Sequence, residues 1–311
     1  MGTGRGYGKT ILFGEHFVVY GLPAIASALG AFTTTDVKVA EGKGWTVDDQ
    51  RPATPGYKQK KYEEAMRSVS NVINYLNIDT ENKKLEITFA GDLIAASGVG
   101  ASAAQCTSLA RALSKTFDLD LDDEKINEAA YEGEKAYHGT PSGIDNTAST
   151  YGGLIWFVKS LSGGKNTMER LHSPRKMQLV IANSEITAST TEVVADVRRL
   201  KEESPAEFRK IFSEYAKLAE EGREALLKGD IATVGDLMNQ NHKLLQQITV
   251  SGEINDKLVG IALRNGAIGA KMTGTGRGGL VIGLAENVDM QEKIANAIEK
   301  EGYSAWRTTI G

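Results

Sequence analysis

The chain has 311 residues, of which 41% are hydrophobic and 24% charged, and carries a formal net charge of −4. This balance excludes attraction to nucleic acid or an anionic membrane through bulk charge, and no apolar run approaches the roughly 20 residues that span a bilayer. The single cysteine, Cys106, excludes an internal disulfide and fits a reducing compartment.

From the N-terminus, "KTILF" (9–13) and "FVVY" (17–20) read as short strands around a tight "GEH" corner, which brings Lys9, Glu15 and His16 close together. The apolar run is broken by Gly14, Glu15 and His16, so no secretory signal is read here and a cytoplasmic enzyme is expected. A histidine and a carboxylate at a strand corner suit a surface position as well as a site. "TTTDVKVA" (33–40) and "KLEITFAG" (84–91) are predicted strands, with a helix near 58–75 between them. "ASGVGASAAQCTSLA" then sets Gly98 and Gly100 before a helix whose Cys106, Leu109, Ala110 and Leu113 follow i, i+3, i+4, i+7 spacing. A helix N-terminus presents unpaired N–H groups and a partial positive charge, and so can receive an anion. The spacing matches neither G-x-x-x-x-G-K-[ST] nor G-x-G-x-x-G. On its own it suits a turn capping a packed helix as well as a phosphate cradle.

The next predicted helix, "DDEKINEAAYEGEKAYHG", sets Ile126, Ala129, Ala130 and Gly133 on one face, and Glu134 follows on that same face. A carboxylate buried without a partner costs several kcal/mol. Either Glu134 snorkels to solvent at a frayed helix end, or it has a cation to hold, and Mg²⁺ takes one or two carboxylates plus phosphate oxygens. "HGTPSGIDNTAST" (138–150) delivers Asp145 from a Gly/Pro/Ser turn, either as ordinary turn chemistry or as a catalytic base on a rigid loop. A strand follows at 152–160. The polar stretch "SGGKNTMERLHSPRKMQ" marks an expected domain boundary near 175, giving domains 1–175 and 176–311.

Beyond it lie a strand "MQLVIAN", three charged amphipathic helices between about 190 and 265, strands in "GAIGAKMTG" and "GGLVIGLA", a helix 289–301 and a strand in "YSAWRTTI". An α+β two-domain protein is the expected class. The charged helices suit a homodimer surface or a solvated cap equally. "KMTGTGRGGLVIGL" carries Gly274, Gly276, Gly278 and Gly279 between two strands, more glycine than a hairpin needs. It reads either as a long flexible hairpin or as a loop that packs its backbone on a ligand.

Taken together and in this order, "GKTILFGEHFVVYGLPAIA", "GVGASAA", "EGEKAYHGTPSGIDNTASTYGG", "STTEVVADV" and "KMTGTGRGGL" resemble the motifs of the GHMP small-molecule kinases, and within them the mevalonate kinases. The resemblance runs from residue 8 to about 284. It implies a two-domain α+β fold with a left-handed βαβ unit in the N-terminal domain and a ferredoxin-like C-terminal domain. It implies ATP and mevalonate as substrates with Mg²⁺ as cofactor, and no nucleic-acid or membrane partner. Residue by residue, it makes Asp145 the group that accepts or orients the proton of the substrate hydroxyl, with Lys9 beside it. Ser102 and Glu134 would be the Mg²⁺ ligands. The backbone of Gly98, Val99, Gly100, Ala101 and Ser102 would cradle the ATP phosphates, with Gly274 and Gly276 closing against them. Glu15 and His16 would meet the substrate.

The chain departs from the family pattern at four places. "GYGK" stands for "APGK", Ala101 for a serine, Thr191 for a lysine common in mevalonate kinases, and Arg277 for a glycine of the third motif, where a guanidinium would sit near phosphates or block them. The same motifs also suit a kinase of another small hydroxy acid or sugar, or a catalytically silent binder on the same fold.

Overall fold

The computed structural model describes residues 1–95, 98–186 and 188–311; Ala96 and Ser97, which open the "ASGVG" stretch, and Thr187 lie outside the described residues. The elements in chain order are β1 (Gly2–Phe13), a 3₁₀ turn (Phe17–Tyr20), β2 (Ala24–Ala40), β3 (Gly44–Asp49), α1 (Tyr57–Lys60), α2 (Tyr62–Tyr75), β4 (Lys84–Gly91), α3 (Ala101–Thr116), α4 (Asp123–His138), α5 (Ile144–Tyr151) and β5 (Leu154–Val158). There follow β6 (Thr167–Leu171), β7 (Met177–Asn183), α6 (Thr190–Glu203), α7 (Pro205–Lys228), α8 (Ile231–Gln247), α9 (Glu253–Arg264), β8 (Gly269–Thr273), β9 (Leu280–Ala285), α10 (Val288–Lys300) and β10 (Ser304–Ile310).

Two compact units form: one from Met1–Lys9 and Ala28–Gly152, the other from Thr10–Ser27 and Gly153–Gly311. The division thus falls at Gly152 rather than near 175. The reason is strand pairing: the first residues of β2, Ala24–Ser27, pair antiparallel with β5, which in turn pairs with β6, so the 153–171 stretch joins the second unit.

In the first unit, β3 pairs parallel with β4, and β4 pairs antiparallel with the later part of β2, Thr33 opposite Gly91 through Ala40 opposite Lys84. The inward side chains Val37, Leu85, Ile87 and Phe89 meet Val69, Val72 and Ile73 of α2, Leu109 and Leu113 of α3, and Ile126, Ala129 and Ala130 of α4. Burial of each such side chain contributes about 1.5–3 kcal/mol. Asp122 caps α4 by accepting from the Lys125 N–H, and acidic Asp123 and Glu124 suit its first turn. β1 lies very close to α3: a Cβ on Gly2, Gly4 or Gly6 would come within 3.0 Å of the carbonyl oxygens of Ala112, Ser108 and Ala104.

In the second unit a four-stranded antiparallel sheet has the order β10-β7-β9-β8. Helices α9 and α10 cover it, α8 packs on β8, α7 on α8 and α6 on α7. Residues 190–264 hold four helices where three were expected: Ser204 ends α6, and Pro205 starts α7 at the one helical position that tolerates a missing N–H. Phe17–Tyr20 form a 3₁₀ turn instead of a strand. Phe17 and Val18 are both buried, and Phe17 stacks on Tyr215 at 3.8 Å between ring centroids, nearly parallel at 4°. A strand would turn one of the two outward.

Candidate active site

Lys9 ends the first unit's share of β1, where its backbone N–H donates to the Val99 carbonyl at 2.8 Å. That bond draws the 98–100 turn onto the lysine. Gly100 has φ +72°, and a Cβ there would meet Lys9 Cγ at 2.7 Å, so only glycine satisfies both the backbone and the space. Gly100 is the N-cap of α3 without a side-chain cap, which leaves the first-turn N–H groups of Ala101 and Ser102 as donors at the positive end of a 16-residue helix.

Asp145 stands in the first turn of α5, on a helix rather than the loop that the turn chemistry suggested. Its Oδ1 lies 3.2 Å from Lys9 Nζ; the lysine is buried and the aspartate about one quarter exposed. Glu134 projects from α4 with 0% exposure, which removes the snorkelling alternative: α4 does not fray before His138. Neither carboxylate oxygen of Glu134 meets hydrogen-bond geometry with any described residue. The Ser102 hydroxyl lies beside it and favours its charged form, and His138 Nε2 is 3.7 Å from Oε2, beyond bonding distance. Burial first, and the charge of Asp145 second, push the Glu134 carboxyl up to about 8. Lys9, Gly98–Ser102, Glu134 and Asp145 therefore come together in one unit.

Glu15, His16, Gly274 and Gly276 meet in the other unit. Glu15 is fully buried in an ion pair with Lys271, whose ammonium also donates to the Met272 carbonyl at 2.8 Å. His16 adopts a left-handed backbone at φ +62°, and its Nε2 is 2.8 Å from the Thr275 carbonyl, so that nitrogen carries the proton and donates. Burial pushes the imidazole down to about 4, with the Arg277 charge adding to the effect. One polar atom of each side chain, Glu15 Oε2 and His16 Nδ1, has no partner among the described residues. The Thr273 hydroxyl accepts from the Ile11 N–H at 3.2 Å and donates to the Ile11 carbonyl at 3.1 Å, fastening the third motif to β1.

The family model described as GHMP kinases N terminal domain matches residues 65–153, and that described as GHMP kinases C terminal matches residues 223–304. The mevalonate kinase of Pyrococcus abyssi is 32% identical over 97% of this chain and 93% of its own. The crystal structure of L. major mevalonate kinase in complex with R-mevalonate superposes with a TM-score of 0.94 at 40% identity, covering 100% of this chain and 96% of that one. The Methanococcus jannaschii mevalonate kinase superposes with a TM-score of 0.81 at 25% identity, covering 99% and 98%.

The chain belongs to the GHMP kinase family.

Two charged residues of this GHMP kinase escaped sequence reasoning. Arg51 is buried: it donates to Asp49 through Nε and Nη2, to Gln105 Oε1 at 2.8 Å and to the Ala101 carbonyl at 3.2 Å, so it braces the start of α3. Lys271 is the lysine of the third motif, and its 0% exposure follows from the Glu15 partner. Lys271's partner Glu15, and the Ala101 and Gln105 partners of Arg51, lie far away in sequence. The only local hint was an Asp-x-x pattern, Asp49 two residues before Arg51, at a strand end.

Proposed function

We propose that this GHMP kinase transfers the γ-phosphoryl group of ATP to the 5-hydroxyl of mevalonate, releasing 5-phosphomevalonate and ADP by direct in-line displacement. Relatives bearing the name mevalonate kinase, one of them crystallised with R-mevalonate, support the substrate. The observation that carries the chemistry is the Lys9–Asp145 pair at 3.2 Å, in the same unit as an uncapped helix N-terminus and the buried Glu134 carboxyl.

Asp145 accepts the hydroxyl proton as the oxygen bonds to phosphorus, and the bond to the ADP oxygen breaks. Lys9 keeps the aspartate oriented and supplies positive charge where negative charge gathers. The Gly98, Val99, Gly100, Ala101 and Ser102 backbone seats the phosphates on the α3 N-terminus. Glu15 Oε2 and His16 Nδ1 remain as acceptors for substrate hydroxyls.

The donor set also fits Mg²⁺. Both Glu134 oxygens are without a hydrogen-bond partner among the described residues, a hydroxyl oxygen stands beside them, and such hard oxygen donors are what this cation takes together with phosphate oxygens. No group of three or more His, Cys, Asp or Glu side chains suited to a metal occurs among the described residues, so the remaining ligands would come from ATP and water. Glu134 and Ser102 would hold the ion, which when bound neutralises phosphate charge.

The test is a coupled ADP-release assay over small alcohols. Mevalonate should give turnover, and Asp145→Asn should lower kcat by about 100-fold or more while still binding ATP. Turnover of a sugar or another hydroxy acid in place of mevalonate would overturn the substrate, and normal kcat in Asp145→Asn would overturn the base.

A further inference from the structure

The third glycine-rich loop holds a side chain where the family pattern has none. Of its six residues, 274–279, five have positive φ: Gly274, Gly276, Arg277, Gly278 and Gly279. Arg277 does so at φ +50°, a region that resists a side chain unless its surroundings impose it. The surroundings do. The Arg277 backbone N–H donates to the Val250 carbonyl at 2.8 Å. Its Nε donates to the Thr249 carbonyl at 3.1 Å and its Nη2 to the Thr249 hydroxyl at 3.2 Å. Its Nη1 pairs with Asp196 Oδ2 of α6 at 2.5 Å, a charge-assisted bond. The guanidinium is therefore engaged by α6 and the turn after α8, so the expectation that it sits on phosphates gives way to a bracing contact.

Neighbouring residues complete the brace. The Thr190 hydroxyl, at the first turn of α6, lies 2.7 Å from that of Thr275. Asn255, buried in α9, accepts from the Gly278 N–H at 2.8 Å and donates to the Gly278 carbonyl at 2.7 Å. The Thr275 carbonyl in turn takes the His16 hydrogen bond. Both ends of the loop's middle are thus fixed, and the Arg277–Asp196 contact carries that fixation to the body of α6.

We propose that Arg277 is a positioning residue: it latches the 274–279 loop to α6 and to the Thr249 turn, and so holds the loop backbone in the geometry that receives the nucleotide. The nucleotide half of this inference rests on the phosphotransferase reading above; the latch itself does not.

The experiment compares Arg277→Gly, Asp196→Asn, the double variant and Arg277→Lys with the wild-type chain. Peptide-resolved amide exchange without ligands reads residues 190–203 and 274–279. Steady-state kinetics read KM for ATP and kcat with mevalonate. Each single variant should speed exchange in the first turns of α6, and there the double variant should be no faster than Arg277→Gly alone, since the Arg277–Asp196 contact is already lost in that variant. KM for ATP should rise roughly threefold to tenfold with kcat within about twofold, the size of coupling expected between contacting residues. Arg277→Lys, which keeps the charge but not the fork, should recover part of the exchange protection. Unchanged exchange, additive effects of the two substitutions, or faster exchange with unaltered KM would overturn the proposal. If no variant and not even the wild type phosphorylates mevalonate, the functional reading falls while the exchange data still decide the latch.

Discussion

Glu134 shows how one residue's environment selects its ligand. A carboxyl with 0% exposure, and with neither oxygen hydrogen-bonded among the described residues, is pushed up to about 8 by burial and by the nearby Asp145 charge, which favours its uncharged form at neutral pH. A divalent cation reverses that preference, because it attracts only the ionised form. Glutamine keeps the shape and one acceptor oxygen but cannot ionise. We therefore expect Glu134→Gln to raise the Mg²⁺ concentration for half-maximal activity by at least about tenfold, the scale on which metal sites weaken when a supporting group is lost. A magnesium titration at saturating ATP and mevalonate checks this, and an unchanged midpoint would return Glu134 to a packing role. The inward direction of this carboxylate was legible from the helix period alone, since it follows Ile126, Ala129, Ala130 and Gly133 on one face.

At the level of elements, the contact between β1 and α3 helps set where the 98–102 turn lies. Strand glycines at 2, 4 and 6 allow close approach, and a side chain at Gly4 would strike the Ser108 carbonyl and the Ala112 amide nitrogen. Backbone atoms inside a helix cannot rotate aside, so α3 or β1 must shift. Gly4→Ala should thus destabilise the chain by about 1–3 kcal/mol, the cost of overpacking. Arg5→Ala, on the outward position of the same strand, loses the stacking of its guanidinium over Phe32 at 4.6 Å and should cost no more than about 0.5–1 kcal/mol. Paired denaturation curves decide, and equal stabilities would mean that the strand and helix can separate freely. This segment was the least legible in the sequence. "GTGRGYG" has no apolar alternation and little strand propensity, so the strand was expected only from Lys9 onward. "FVVY" erred in the opposite sense: strong strand propensity yielded to the stacking of Phe17 on Tyr215, a partner 198 positions away that no local window includes. By contrast β4 and β7 lie where their sequences placed them, because β4 alternates buried Leu85, Ile87 and Phe89 with polar residues and β7 is a mostly apolar run.

Across the whole molecule, the compact units are not consecutive pieces of chain. Thr10–Ser27 belongs with residues 153–311, so a composition change near 175 could not reveal the division. The motifs survived this because each is local: Lys9, Gly100, Glu134 and Asp145 are read from short stretches, whereas the buried partners Arg51 and Lys271 depend on chain far away. The second unit also carries a pH signature. Burial pushes His16 and His242 down to about 4 each. His242 faces Asp256 at 3.1 Å and the Lys271 charge, while His16 faces the Thr275 carbonyl and the Arg277 charge. In the unfolded chain a histidine titrates near 6.5. Above that value both states are neutral at these rings and nothing is gained or lost. Between about 6.5 and 4 the unfolded state binds protons that the folded state refuses, so stability falls as pH drops through that window. At about 1.4 kcal/mol per pKa unit, each histidine contributes on the order of 3 kcal/mol to the loss. Amide exchange in β7–β10 peptides, followed from pH 7 to pH 4.5 and corrected for intrinsic rates, should show falling opening free energies there. Replacing His242 with glutamine, which retains an acceptor without the titration, should flatten the decline by about half. A pH profile unaffected by that substitution would show that the ring binds protons equally in the folded and unfolded chain, and would overturn the prediction.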